Sequence, residues 1–263
     1  NKLIKYFNKI IIYKYIKFLR LKMIKRNIDL SIVIPCYNEK NTVIKIINKI
    51  RKIKNITKQI IIIDDGSNDG TTEIIQKNLR NKVDDIIHHK KNKGKGAAII
   101  SSLKLIKGNL VIIQDADLEY DPNDYHKLIE PFKNKDNKIV YGSRVLGRKK
   151  FKTKINLFDL KKNIRIFANY ILTILSNLFN NQSLTDVHTC YKVFRKDVFL
   201  SFKLKEKGFS FCPEITTKAS NFKINIKEVP IKYNGREVKD GKKIRLSDAF
   251  KAIFTIFRYK FLS

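Results

Sequence analysis

Three acids stand at alternate positions in LVIIQDADLE: Asp115, Asp117 and Glu119. They follow the apolar run Leu110–Ile113, which has the composition of a strand buried on both faces. On an extended chain alternate side chains point the same way, so the three carboxylates can converge at the strand's C-terminal end. Converging carboxylates repel unless a cation lies between them. Mg²⁺ or Mn²⁺ suits that position, being a hard ion that takes oxygen ligands and keeps sites open for phosphate oxygens. The plainer alternative for an isolated D-x-D is a solvated acidic turn before a helix.

Further polar turns follow other apolar runs. Pro35-Cys36-Tyr37-Asn38-Glu39 ends the run Leu30–Pro35, so Tyr37 can stack on a base and Glu39 can bond ribose hydroxyls. Asp64 and Asp65 end Gln59–Asp64 in the same crevice, and either can accept a base N–H. Gly94-Lys95-Gly96 opens a helix and can bring backbone N–H groups and Lys95 near a phosphate. Neither a dinucleotide G-x-G-x-x-G nor a P-loop G-K-[ST] occupies the first turn.

The elements that carry these turns alternate. Strands are expected at Leu30–Pro35, Gln59–Asp64, Ile86–His89, Leu110–Ile113 and Ile139–Gly142. A helix capped by Asn41 or Thr42 places Val43, Ile46, Ile47, Ile50 and Ile53 on one stripe. The cluster Asp65–Gly70 precedes a helix over 71–80, and Gly94 opens another that runs to Lys107. His88 and His89, adjacent on a strand, face opposite sides. This alternation predicts an α/β fold with a parallel sheet covered by helices on both faces.

Beyond Gly147 the character changes. Ile164, Phe167, Ala168, Ile171, Leu175, Leu178 and Phe179 recur at helical spacing, with no charge between Ile166 and Thr185. The apolar stretch is too short to span a bilayer, so it is either a core helix or one lying in a membrane interface. Phe250, Ile253, Phe254, Phe257 and Phe261 pose the same choice at the C-terminus.

Composition narrows the classes. The 263 residues allow one large domain with appendages. Cys36, Cys190 and Cys212 are few and scattered, which fits a reducing compartment and neither a disulfide framework nor a zinc site. Lys and Arg number 56 against 24 Asp and Glu, a net charge of +32, so polyanions attract the chain unless the charge reflects base-composition drift. Residues 1–26 hold nine Lys or Arg and no acid. They read either as a basic membrane-surface helix or as sequence upstream of a start at Met23, the sole methionine.

SIVIPCYNE, IIIIDDGSNDGT, NKGKGAA and QDADLEYDP occur in this order. Together they resemble the nucleotide-sugar-binding half of family 2 inverting glycosyltransferases of GT-A fold. YGSR, TDVHTCYKVFR, GFSFCPEIT and EVPIKYNGREVKDGKKI resemble the polyprenyl-phosphate branch of that family, from about Leu30 to Phe261. The resemblance implies a Rossmann-like, mixed but mostly parallel sheet with C-terminal amphipathic helices. It implies a domain at 29–246, preceded by a basic extension at 1–28 and followed by an amphipathic helix at 247–263.

It also implies roles. Pro35, Tyr37, Glu39 and Asp64 hold the nucleoside. Asp115 and Asp117 bind metal and diphosphate, with Glu119 as a further metal ligand. Arg144 grips the acceptor phosphate, while Asp186 and Glu214 line the sugar or acceptor pocket. Arg236, Lys242 and Lys243 lie on a loop that closes over the diphosphate. Some relatives carry an arginine pair where this chain has Lys161, Lys162 and Arg165.

The implied reaction moves one sugar from a UDP- or GDP-sugar to a polyprenyl phosphate, with Mg²⁺ or Mn²⁺. The enzyme would be peripheral, on the cytoplasmic face of an anionic membrane, with room for a membrane-embedded partner subunit. Two rivals remain: a family 2 enzyme that extends a glycan or lipid-linked saccharide, and a basic nucleic-acid binder. No nucleic-acid motif supports the latter.

Overall fold

The computed structural model describes residues 28–151, 160–236 and 246–262. Strands β1 (Leu30–Cys36), β2 (Lys58–Asp64), β3 (Asp85–His88) and β4 (Leu110–Ile113) alternate with helices α1 (Val43–Lys52), α2 (Thr71–Ile74) and α3 (Lys95–Ser102). Helix α2 continues as a wider π-turn over Ile75–Leu79, and α3 tightens into a 3₁₀ turn at Leu103–Leu105. Then come α4 (Tyr125–Ile129), β5 (Ile139–Ser143), α5 (Arg144–Lys150) and α6 (Leu160–Asn180). The chain ends with β6 (Lys192–Arg195), α7 (Lys196–Ser201), α8 (Phe211–Asn221), β7 (Ile226–Pro230) and α9 (Leu246–Phe261).

One seven-stranded sheet has the order β3-β2-β1-β4-β6-β5-β7. The β1/β2, β2/β3, β1/β4 and β5/β7 pairs are parallel, whereas β6 runs antiparallel to both β4 and β5. The sheet is therefore mixed and mostly parallel. The isoleucine-rich runs of β1 and β2 are buried because helices cover both faces, as a parallel sheet requires.

Some local expectations change. Thr42 occupies the position before α1, but its hydroxyl makes no bond to the helix; it turns back to the Glu39 carboxylate at 2.8 Å. Neither β6 nor β7 was expected as a strand. β6 begins with a completely buried lysine, which conceals it from any apolar pattern.

Helix α9 packs against α6 and α8, and Phe179 meets Phe261 edge to face at 6.1 Å between centroids. The outer sides of α6 and α9 remain apolar and open to solvent. Phe167 is 64% exposed, Leu178 75%, Phe250 70% and Phe254 63%. No helix among the described residues is long and apolar enough to cross a membrane. The basic segment 1–27 lies outside the described residues, as do Lys242 and Lys243 and the side chains of Lys161, Lys162 and Arg165.

Candidate active site

The site lies at the C-terminal ends of β1, β2 and β4, where the order turns from β1 outward in both directions. The β1 and β2 turns are tied together. Asn38 donates to Asn68 at 2.9 Å and accepts from its backbone N–H at 2.9 Å. The Glu39 N–H donates to the Thr71 hydroxyl at 2.8 Å. These bonds bring Pro35 and Tyr37, both partly exposed, and Glu39, only 8% exposed, beside Asp64.

Asp64 and Asp65 take different tasks. Asp64 accepts from the Thr72 hydroxyl at 2.5 Å, the Ser67 N–H at 3.2 Å and His88 at 3.2 Å. Burial opposes its ionisation, but these bonds outweigh it and hold the carboxyl below the usual range. Asp65 accepts the N–H groups of Lys93 and Gly94 at 3.0 and 2.7 Å and contacts His89 at 2.6 Å. Its oxygens thus serve the turn before α3, which leaves little of them for a base. His88 and His89 serve one acid each, as opposite-facing neighbours.

The G-K-G turn is also put to a different use from that expected. A Cβ on Gly94 would come 2.5 Å from the Lys207 carbonyl oxygen, and one on Gly96 would come 2.0 Å from that of Glu206. The Ala97 N–H donates to Lys207 O at 2.9 Å. Both glycines therefore admit the 206–208 backbone, and a helix N–H expected to face phosphate is already bonded. Lys95 crosses to the acids, its Nζ 2.5 Å from Asp115 Oδ1 and 3.4 Å from Cys190 Sγ. Burial disfavours its charge, yet Asp115 more than compensates, so Lys95 stays protonated.

Glu214 supports the same region from below. Completely buried, it accepts from the N–H groups of Lys205 and Glu206 at 2.8 and 2.9 Å and from Lys218 Nζ at 2.7 Å. That corrects the expectation of a pocket-lining acid, because its oxygens hold the loop that packs on Gly94 and Gly96.

Asp117 lies within electrostatic reach of both Asp115 and Glu119. Asp117 is pushed up to about 7, first by burial and then by Asp115 and Glu119. Crowded hard-oxygen donors of this kind suit a divalent cation, and Asp115 and Asp117 fit that role. Glu119 fits it poorly. Its Oε2 accepts from Tyr233 Oη at 2.6 Å and its Oε1 from the Arg236 N–H at 2.7 Å. No cage of three or more metal-binding side chains is formed among the described residues.

The segment after β7 closes over these acids. Tyr233 bridges to Tyr120, and the Asn234 N–H donates to Glu119 O at 2.9 Å. Arg236 spans the cleft: Nη1 and Nη2 donate to Glu39 at 3.0 and 2.9 Å, and Nη2 reaches Asp117 at 3.3 Å. Its Nε is buried with no acceptor among the described residues.

Arg144 begins α5, next to β5. Its Nε and Nη2 form a fork on Asp186, each at 2.7 Å, and its backbone N–H donates to the same carboxylate at 3.0 Å. Asp186 is completely buried; burial opposes its charge, but Arg144 prevails and its carboxyl stays low. Glu228 holds the other side of that loop, accepting from the N–H groups of Thr185 and Asp186 at 2.8 and 3.0 Å. The Tyr233 ring lies 5.1 Å from the Arg144 guanidinium. Asp186 is thus a partner of Arg144, and the Nε/Nη2 edge of the Arg144 guanidinium is already spent on it. Tyr233, Glu228 and the buried Lys192, which donates to Val187 O at 2.8 Å, are site residues that sequence reading missed.

A sequence model of glycosyl transferase family 2 matches residues 31–201. A UDP-N-acetylglucosamine–dolichyl-phosphate N-acetylglucosaminyltransferase of Methanococcus voltae is 30% identical over 248 residues, covering 87% of this chain and 95% of the relative. A dolichyl-phosphate beta-glucosyltransferase of Trichomonas vaginalis is 28% identical, covering 86% of this chain and 71% of the relative. Among solved structures, glucosyl-3-phosphoglycerate synthase of Mycobacterium tuberculosis, in complex with Mn²⁺, UDP and glucosyl-3-phosphoglycerate, superposes with a TM-score of 0.64 at 16% identity, over 90% of this chain and 81% of that one. Mannosyl-3-phosphoglycerate synthase of Rubrobacter xylanophilus gives 0.63 at 17% identity, over 88% and 72%. These share the fold, which is GT-A.

Proposed function

The chain belongs to glycosyl transferase family 2, and we propose that it moves one sugar, with inversion, from a UDP- or GDP-sugar to a polyprenyl phosphate. The observation that carries this reading is the frame around Tyr233. Its hydroxyl bonds Glu119 in the acid cluster while its ring lies against Arg144. One residue thereby couples a donor-type site to a partly buried arginine suited to an anionic acceptor. The dolichyl-phosphate relatives support the choice of acceptor.

In this account Pro35, Tyr37, Glu39 and Asp64 hold the nucleoside. When bound, a divalent cation held by Asp115 and Asp117 supplies neutralising charge for the leaving diphosphate. Arg236 releases Asp117 and turns its unspent Nε–H toward the diphosphate, adding a second positive group there. Lys242 and Lys243 lie on the same loop in sequence. Arg144, oriented by Asp186, holds the acceptor with the N–H groups that the fork leaves over. The acceptor oxygen is already ionised at neutral pH and needs little base assistance. It attacks the anomeric carbon opposite the diphosphate; the new C–O bond forms as the old one breaks, and the electron pair leaves on the diphosphate.

The exposed apolar sides of α6 and α9 support docking at a membrane surface on the cytoplasmic side, with the chain's excess of basic residues drawn to anionic lipid. The testing experiment incubates the purified chain with UDP- and GDP-sugars against three acceptors: undecaprenyl phosphate, 3-phosphoglycerate and an oligosaccharide. Transfer confined to the lipid phosphate is expected. Transfer to the oligosaccharide alone would replace this reading with that of a glycan-extending enzyme.

A further inference from the structure

Arg148 lies one turn beyond Arg144 on α5, on the same helix face. That helix is firmly placed. The Ser143 hydroxyl caps it by accepting from the Leu146 N–H at 3.0 Å. A Cβ on Gly147 would come 1.8 Å from the Ile231 carbonyl oxygen, so the helix lies directly on the chain that leaves β7. Arg148 is partly buried, yet it makes no hydrogen bond or ion pair among the described residues. Its electrostatic neighbours are Asp186, Arg144 and Tyr233.

That environment is unfavourable for a guanidinium with nothing bound. Two arginines share one carboxylate, and the oxygens of that carboxylate are already bonded to Arg144 and, at 3.3 Å, to Asn169 Nδ2. Burial is the main influence lowering the affinity of Arg148 for its proton; Asp186 opposes it, Arg144 adds to it, and Tyr233 acts with Asp186. A half-buried cation with no bonding partner, one helical turn from a second cation, is relieved by an anion placed between them. Arg144 alone is a weak claimant for that anion, because two of its donors are spent on Asp186.

We infer that Arg148 stands with Arg144 as the second cation of the acceptor-phosphate site, receiving the doubly charged head of a phosphomonoester. This rests on the proposed polyprenyl-phosphate acceptor. It gives the dianion one planar group from each turn of α5. A donor diphosphate over Asp115 and Asp117 uses another cation, Arg236, so the two phosphates of the reaction have separate partners.

The test compares wild type with Arg148→Gln, Arg148→Ala and Arg148→Lys. Farnesyl phosphate binding is measured by calorimetry without donor, and initial rates are measured at varied undecaprenyl phosphate and varied donor. The glutamine and alanine variants are expected to weaken farnesyl phosphate binding and raise the acceptor KM ~10-fold or more, as loss of a charge-assisted contact implies. The donor KM should stay within about twofold, since the donor's cations are untouched. Arg148→Lys should recover part of the loss, because an ammonium keeps the charge without the planar fork. Unchanged acceptor binding in the glutamine and alanine variants, with wild-type transfer intact, would overturn the role of Arg148 alone. Equal loss of donor and acceptor terms would also overturn it, by making Arg148 a structural residue. A wild type that neither binds farnesyl phosphate nor glycosylates undecaprenyl phosphate would overturn the acceptor reading itself.

Discussion

Arg236→Ala should change two affinities in opposite directions. Without ligands, Arg236 bridges Glu39 and Asp117, so an entering divalent ion must first displace a cation from one of its own ligands. The Arg236–Asp117 contact is 3.3 Å long and 22% and 15% of the two side chains are exposed, which places it at the weak end of charged hydrogen bonds, on the order of 1.5 kcal/mol. Removing it should tighten Mn²⁺ binding in the absence of nucleotide by ~10-fold. The same change removes a positive group and a buried unspent Nε–H from the proposed diphosphate site, so UDP affinity in the presence of Mn²⁺ should fall ~10-fold or more. Titration of Mn²⁺ by electron paramagnetic resonance, then of UDP by calorimetry at saturating Mn²⁺, reads both terms. A variant that binds Mn²⁺ alone more weakly than wild type would refute the argument, since Arg236 would then be supporting the acids and not competing for them.

Four further outcomes follow from the geometry. Arg144→Lys should leave UDP affinity within about twofold while transfer to lipid phosphate falls ~10²-fold, because the planar fork that Asp186 orients is lost; an equal loss of donor binding would count against an acceptor role. Arg144→Ala is the poorer probe, since it leaves the fully buried Asp186 without its partner and should cost about 3 kcal/mol or more in unfolding free energy. His188 is lowered to about 4 by burial first and then by Lys192, and its Nε2 is buried without a partner among the described residues. The unfolded chain protonates this group below its ordinary value near 6.5 while the folded chain resists until about 4, so stability should fall by about 3 kcal/mol as pH drops through that window; urea unfolding of wild type and His188→Gln at pH 7 and pH 4.5 should show a steeper loss in wild type. Replacing Phe167 and Phe254 by Ser should weaken sedimentation with anionic vesicles ~10-fold or more without shifting the thermal midpoint, as both rings are more than half exposed.

The donor half was legible because each of its parts announces itself locally. The runs of β1, β2 and β4 are almost purely apolar, and each breaks into a polar turn, so placing Glu39, Asp64 and Asp115 at one sheet edge needed only the rule for open α/β sheets. The acceptor half depends on contacts between residues far apart in the chain. β6 carries Lys192 into the core, where carbonyls of its own approach loop accept its protons, and no periodicity anticipates a buried charge. Asp186 has the same composition signal as a surface acid until the fold places Arg144 against it. Arg148 is hidden in the basic run Arg148-Lys149-Lys150, and only its partial burial distinguishes it from its exposed neighbours. The G-K-G turn shows the opposite failure. A familiar phosphate-binding pattern exists here to admit a neighbouring backbone, and its lysine is already paired with Asp115.

A sugar that passes from a nucleotide to a lipid phosphate leaves a glycosyl phosphate soluble in organic solvent. The most direct test of that transfer is to incubate the purified chain with undecaprenyl phosphate, Mn²⁺ and a panel of radiolabelled UDP- and GDP-sugars, then extract into organic solvent. Label from at least one donor should enter the lipid phase as a glycosyl phosphate with inverted anomeric configuration, and leaving out the lipid phosphate should abolish it. A lipid phase free of label with every donor, while the same preparation glycosylates an oligosaccharide, would make the protein a glycan-extending enzyme and not a lipid-phosphate glycosyltransferase.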